Sequence, residues 1–325
     1  MATLRVGIFG QNIAAAMLHY TQLLSLEAAR LGHTVYTTSF TATNSALMKM
    51  NSRQDVSNSY WWDETLNQQG PALEQSVSYL QLELTRPSVL LFDPGTLDAS
   101  AAEFSVPVYK AALISVINKL KEMCPDARIA LLFASRYGSY PNIYNLRCIR
   151  RAQYEVALEL DLYTLDMYDL PMLYNFPLTP AEMTSLGLTV MSYQRLMYRL
   201  SQIVLAAHAL PAYMPVKPVV TRLGTHHVQM AFNDVGRLAV SQPAQLPNLS
   251  ILRPGGMVEY DQSWLALTWL TSSAGALLRI ELQNEEIASG SIVMYPDHDL
   301  DGIAHDDQLT NRLYDPVATT AATVI

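Results

Sequence analysis

Cysteine, charge and histidine are all scarce in this 325-residue chain. The two cysteines, Cys124 and Cys148, cannot make a disulfide framework, and both read as free thiols buried in helical stretches. Charged residues make up 15% of the chain and the net charge is −8, with no basic stripe along it. That excludes the electrostatic footprint of a nucleic-acid binder. Apolar runs are broken by charge well short of a membrane span, so no insertion by a long apolar helix is expected. No phosphate-cradling glycine string occurs, because Gly7-Ile8-Phe9-Gly10 lacks the spacing. Histidine is missing from the whole interval between His33 and His208, which leaves that stretch without the commonest general base. Met1 to Arg5 runs straight into an apolar stretch with no signal-peptide pattern, so synthesis and folding in a cytoplasm are expected.

What is present is ample apolar material, half of all residues, arranged in two textures. Leu4–Gly10 reads as a buried strand ending in Gly and polar residues. Met17, Tyr20, Leu24, Ala28 and Leu31 then recur at helical spacing, and Gly32 stands where a glycine would end that helix. Further strands are expected at 34–38, 88–92, 127–133 and within 160–166. Helices are expected at 109–123, 146–159 and 192–209. Strands alternating with helices indicate an α/β domain with a mostly parallel sheet covered on both faces.

After Leu210-Pro211 the texture changes. Pro211, Pro215 and Pro218 break the chain, and short β-prone segments follow at 228–232, 237–240, 249–252, 264–269, 277–282 and 291–295. Turns at Asn233-Asp234, Pro254-Gly255-Gly256 and Ser289-Gly290 separate them, as in a small antiparallel sandwich or jelly roll. Ala318–Thr323 reads as a loose or partner-bound tail.

The stretch Phe9-Gly10-Gln11-Asn12 sits at a strand end, where catalytic groups collect in α/β proteins. With Pro87 to Asp98, with Tyr109 to Phe133 around Cys124-Pro125-Asp126-Ala127-Arg128, and with Thr184 to Thr189 before Ser192-Tyr193, it appears in an order resembling the SGNH (GDSL-type) hydrolases. The resemblance covers about the first 210 residues and implies a flavodoxin-like sheet, so the domains expected are 1–210 (SGNH-like α/β) and 211–325 (antiparallel β). Carried over position by position, it implies that the catalytic groups are gone. The nucleophilic Ser corresponds to Asn12, with Gln11 in place of its Asp neighbour, and the Asn that donates to the oxyanion corresponds to Leu97. The base His corresponds to Gly187 and its orienting Asp to Thr184. The glycine of the second block has no equivalent in Thr41-Ala42-Thr43-Asn44, whereas Gly95, Thr96 and Asp98 persist as turn residues. Acyl transfer needs a nucleophile, a base and preorganised donors together, so this pattern predicts no catalysis. Ser39, Ser135 and Ser139 are the hydroxyls near strand ends that an unrecognised nucleophile would use.

Other motifs carry weaker chemistry. Asp297, Asp299 and Asp301 before Gly302 form the first half of a calcium loop, but Gln308 stands where the closing Glu belongs, so calcium is weighed against a solvated acidic loop. Trp61 and Trp62 are weighed as a glycan-stacking platform or as an aromatic anchor for a loop. His226-His227 point to opposite faces if in a strand, and Arg147, Arg150 and Arg151 read as a solvated helix face.

Together these features predict a non-catalytic structural or adhesive protein on a retired SGNH scaffold, a homo-oligomer or a subunit of a larger assembly that touches a surface glycan. A bacteriophage virion is the expected setting, because SGNH-like domains joined to β modules occur in phage surface and tail proteins. The alternatives are a carbohydrate O-acetyl-esterase with an unrecognised nucleophile and a soluble glycan-binding module.

Overall fold

The computed structural model describes residues 2–52, 59–80, 86–101, 104–134, 143–167, 190–212, 219–233, 250–252, 264–272, 275–282, 292–295 and 320–323. The chain divides into two compact units, Met1–Ala212 and Tyr213–Ile325.

In the first unit, β1 (Thr3–Gly10) leads into α1 (Asn12–Met17), a 3-10 turn at Leu18–Tyr20 and α2 (Gln22–Arg30). β2 (Thr34–Thr41) follows, then a small insertion of three short strands, β3 (Ala46–Met48), β4 (Tyr60–Asp63) and β5 (Gln68–Gln69). Next come α3 (Pro71–Leu80), β6 (Val89–Asp93), α4 (Val106–Met123) and β7 (Arg128–Leu132). α5 (Ile143–Glu159), β8 (Tyr163–Leu165) and α6 (Val190–Ala207) complete the unit.

The main sheet has the order β2-β1-β6-β7-β8, and every neighbouring pair is parallel. Counting only its own strands, that is the doubly wound order 2-1-3-4-5, as the alternation of strands and helices predicts. Both faces are covered, which is why β6 is buried at all five positions and reads as an apolar run from Val89 to Phe92 before Asp93. Leu4, Val6 and Ile8 meet Met17, Leu24 and Ala28 and the α6 residues Leu196 and Leu200 on one face. Phe9 points the other way, with its ring 6.3 Å from that of Tyr79 on α3. The buried stripe of α4, Tyr109, Ala112, Leu113, Val116, Ile117 and Leu120, has the spacing of a helix packed on one side. The helix stops at Cys124, whose thiol is pushed up by burial.

Two local expectations change in this unit. The continuous helix expected through Leu31 is broken by the 3-10 turn, so α1 and α2 pack as separate pieces. Its end is as expected: Gly32 adopts φ +77°, with the Gly32 and His33 N–H groups donating to Ala29 and Ala28 carbonyls at 3.0 and 2.9 Å. The arginines of α5 are not a solvated face. Arg150 is 2% exposed, donates to both oxygens of Asp166 at 3.1 and 2.7 Å, and also reaches the Ala134 carbonyl. Arg151 is buried against Glu155 one turn on, and the side chain of Arg147 lies outside the described residues.

The second unit contains β9 (Val219–Arg222), β10 (His227–Asn233), β11 (Ser250–Leu252), β12 (Trp264–Ser272) and β13 (Gly275–Leu282). It ends with β14 (Ile292–Tyr295) and β15 (Thr320–Thr323). The strands form two antiparallel sheets, β12-β13-β10-β9 and β11-β14-β15. The expected loose or partner-bound tail is corrected here: Thr320–Thr323 pairs residue for residue with Ile292–Tyr295. Its threonines flank two small alanines, a segment that fits a pleated ladder as readily as solvent. The strand expected at 237–240 lies outside the described residues.

Candidate functional site

In the order 2-1-3-4-5 the strand sequence reverses between β1 and β6, and the crevice beyond their carboxyl ends is where such sheets place ligands. β1 ends there at Gly10, with φ +138°, packed so closely on Asp93 that a side chain at position 10 would collide with its backbone. Gln11, next in line, is 3% exposed, and its amide donates to the Pro94 carbonyl and lies against Gly95, which adopts φ +76°. The positive φ is what favours glycine here, and the end of the Gln11 side chain fills the space a Cβ would take.

Asn12 follows at the first position of α1, half-buried. Its Nδ2 donates to Asn44 Oδ1 at 3.3 Å, and the Asn44 backbone N–H donates back to Asn12 Oδ1 at 3.1 Å. Asn44 itself stands at φ +58°, a left-handed conformation that Asn tolerates better than most residues other than Gly. Asn12, where the resemblance would put a nucleophile, therefore carries an amide in a reciprocal pair with the loop after β2. Leu97 opens a 3-10 turn at Leu97–Ser100 and has an apolar side chain.

Two buried carboxylates frame this crevice, and both serve the backbone. Asp93 is 1% exposed; its Oδ2 accepts from the Ala14 N–H at 3.0 Å and its Oδ1 from the Gly95 N–H at 2.9 Å. It thus caps α1 from across the sheet and closes the loop after β6. Asp98 is fully buried and accepts from the Leu47 and Met48 N–H groups at 2.7 and 3.1 Å and from Asn51 Nδ2 at 2.9 Å. Burial pushes each carboxyl up to about 6, against the opposing pull of these donors. Asp98 holds the insertion onto the domain, and Lys49 and Asp63 tie it internally at 2.7 Å. That hydrogen bond raises Lys49 and lowers Asp63.

The insertion also decides the tryptophans. Trp61 is 0% exposed, edge-on to Phe92 at 5.0 Å and to Phe40 at 6.1 Å, with Nε1 donating to Ser45 Oγ at 3.0 Å. A ring packed on all sides cannot stack on a sugar, so of the two readings weighed for Trp61 the sugar platform is corrected and the aromatic anchor stands. Trp62, alternating to the other face of β4, is half-buried.

The remaining sequence candidates scatter. Ser39 lies in β2 opposite Ile8 of β1 and is half-buried. Ser135, Ser139, Thr184, Gly187, Asp297, Asp299 and Asp301 all lie outside the described residues. Among the described residues no group of three or more His, Cys, Asp or Glu side chains converges as a metal site would require. A serine–histidine pair does occur, at the opposite end of the strands from the crevice, beside the start of the central strand β6: Ser88 Oγ is 3.0 Å from His208 Nε2, and His208 Nδ1 is 2.8 Å from the Val204 carbonyl. Ser88 Oγ also donates to the Arg5 carbonyl at 2.9 Å and accepts from the Arg5 N–H at 3.3 Å. With its proton and its lone pairs engaged, this hydroxyl ties the end of α6 to the start of β6.

The strand-end junction draws attention to Gln11 and Asn12 as degenerate positions, but nothing local in the sequence marks Asn44 as the partner of Asn12. What Asn44 does show is an Asn in a Gly-free turn, a residue type that enters the left-handed region. Asp93 was missed because a single carboxylate at a strand end carries no pattern of its own.

Fold and crevice thus define a doubly wound α/β domain with an amide-filled switch point. No family model matches the chain, and no curated protein matches it. Among solved structures it is similar to a lipase/acylhydrolase from Enterococcus faecalis, at 13% identity and TM-score 0.42 over 65% of this chain and 99% of that one. It is similar also to a carbohydrate esterase family 2 enzyme plus carbohydrate binding domain from Corynascus thermopiles (Myceliophthora fergusii), at 15% identity and TM-score 0.41 over 63% and 67%. A putative lipolytic protein of the G-D-S-L family from Desulfitobacterium hafniense matches at 12% identity and TM-score 0.40 over 62% and 99%.

Proposed function

We propose that this chain is a non-catalytic structural or adhesive protein on a retired SGNH-type esterase scaffold, working as a subunit of a larger assembly such as a virion. The observation that carries the reading is the Asn12–Asn44 pair. An amide has no nucleophilic oxygen to activate, and here both its polar ends are spent on the neighbouring loop. The two carboxylates nearest the crevice are spent in the same way on backbone N–H groups, so neither is free to orient a base. A low charge content suits a protein that covers its surface with neighbours. Trp62 is the member of the aromatic pair with surface left to offer a glycan.

The reading is tested by incubating the folded full chain with a fluorophosphonate probe and mapping any adduct by mass spectrometry. No labelled serine is the outcome the reading requires. Stoichiometric labelling of one serine, lost on heat denaturation, identifies an activated nucleophile and overturns it.

A further inference from the structure

β2 is the outermost strand of the main sheet, and among the described residues nothing pairs with its outer edge. The direction of its backbone can be read from its ends. The Thr34 N–H donates to the Ala2 carbonyl and the Ala42 N–H to the Gly10 carbonyl, so both face β1. The register between β1 and β2 runs residue for residue without a bulge. Successive backbone groups alternate sides in a strand, so 34, 36, 38 and 40 bond to β1 while Val35, Thr37, Ser39 and Thr41 present their N–H and C=O groups outward. All four outward residues are partly exposed.

Natural monomers blunt such an edge with lysine, proline, a bulge or a very short strand. This edge has none of these. Thr34-Val35-Tyr36-Thr37-Thr38-Ser39-Phe40-Thr41 is eight residues long, uncharged, and rich in β-branched and aromatic residues. Tyr36, large and apolar over most of its ring, is 54% exposed beside the free edge.

We infer that the outer edge of β2 pairs with the same edge of a second copy of this chain, antiparallel about a two-fold axis at Thr38. In that register Thr37 of each copy faces Ser39 of the other and Val35 faces Thr41. Each facing pair exchanges both of its hydrogen bonds, and every outward N–H and C=O from 35 to 41 is satisfied. Tyr36 of each copy lies opposite Phe40 of the other, in the closer kind of pair where aromatic side chains meet best. A second copy is the occupant the strand itself specifies: a run without charge meets its own reversed image with no like charges opposed, and a two-fold contact needs one self-complementary patch. The inference deepens the assembly half of the proposed function by naming partner and surface, and it does not depend on the crevice being silent.

The test is the mass of the full chain by light scattering after gel filtration, from about 1 to 100 μM, a range that brackets weak and moderate association. Two variants accompany it. Thr37→Pro removes an outward N–H and leaves the bonds to β1 in place, the position where an edge strand accepts proline. Tyr36→Lys puts the usual edge-blocking charge beside the axis without touching the backbone. The wild-type chain runs at twice the chain mass, and each folded variant, with unchanged far-UV circular dichroism, falls to half of that. A wild-type chain that stays monomeric at the top concentration overturns the inference. A dimer that persists in folded Tyr36→Lys also overturns it, while leaving assembly through another surface standing.

Discussion

Replacing Trp61 with Ala removes the ring that joins the insertion to the main sheet. Such truncations at fully buried sites cost about 3–5 kcal/mol. Trp61 belongs at the upper end, because it forfeits edge-on contacts with Phe92 and Phe40, each of a type worth about 0.5–1.5 kcal/mol beyond area. The lost Nε1 bond to Ser45 adds about 1 kcal/mol at most, since Ser45 Oγ keeps its bond to the Ala42 carbonyl. A loss of about 4–5 kcal/mol is therefore expected, a large part of the 5–15 kcal/mol typical of a folded domain. The assay is urea unfolding followed by circular dichroism at 222 nm, which reports the first unit because the described helices all lie there. With a slope of about 2.5 kcal/mol per molar urea, the midpoint falls by about 1.5–2 M. Trp62→Ala, at a half-buried position, moves it much less. A Trp61→Ala midpoint within about 0.4 M of wild type, equivalent to about 1 kcal/mol, refutes the placement of this ring as a core anchor.

The two buried carboxylates give a pH dependence with a definite sign. Asp93 and Asp98 stand at about 6 in the folded chain against an ordinary 3.8. The folded state therefore holds their protons more tightly than the unfolded state, and stability from these groups is full below about pH 4 and lost as pH rises through 6. Each contributes about 3 kcal/mol of change, from about two pKa units at 1.36 kcal/mol apiece. Comparing wild type with Asp98→Asn cancels the other titrations: the stability difference should move against wild type by up to about 3 kcal/mol between pH 4 and 7, and a flat difference contradicts the assignment. At Asn44, the left-handed backbone predicts that Gly is tolerated while Ala costs about 1–2 kcal/mol in the same urea assay, and an Ala variant as stable as the Gly variant refutes the strain.

Much of the fold could be read along the chain because parallel strands covered on both faces leave a local mark. Val89–Phe92 and Ile129–Ala134 are apolar runs bounded by polar residues, and Gly32 punctuates the end of α2. What escaped the sequence depends on contacts between distant residues. Trp61 is buried by Phe40 and Phe92, 21 and 31 positions away, so its polar neighbours in sequence left a glycan platform and a loop anchor both open. Arg150 is buried because Asp166 arrives beside it from the end of β8. The 3-10 break between α1 and α2 has no glycine or proline to announce it. At the crevice, the strand-end junction pointed to Gln11 and Asn12, but the pairing with Asn44 spans 32 positions and is set by how the loop after β2 returns. The short strands β3 to β5 carry two to four residues each, too few for a period to show.

The most direct test of a silent crevice is turnover itself: hydrolysis of 4-nitrophenyl acetate and of acetylated xylo-oligosaccharides by the folded full chain, followed with and without added calcium. The account predicts a rate equal to the protein-free background, unchanged in Asn12→Ala. Saturable hydrolysis that scales with protein concentration, and that a single serine substitution abolishes without unfolding the chain, would contradict it.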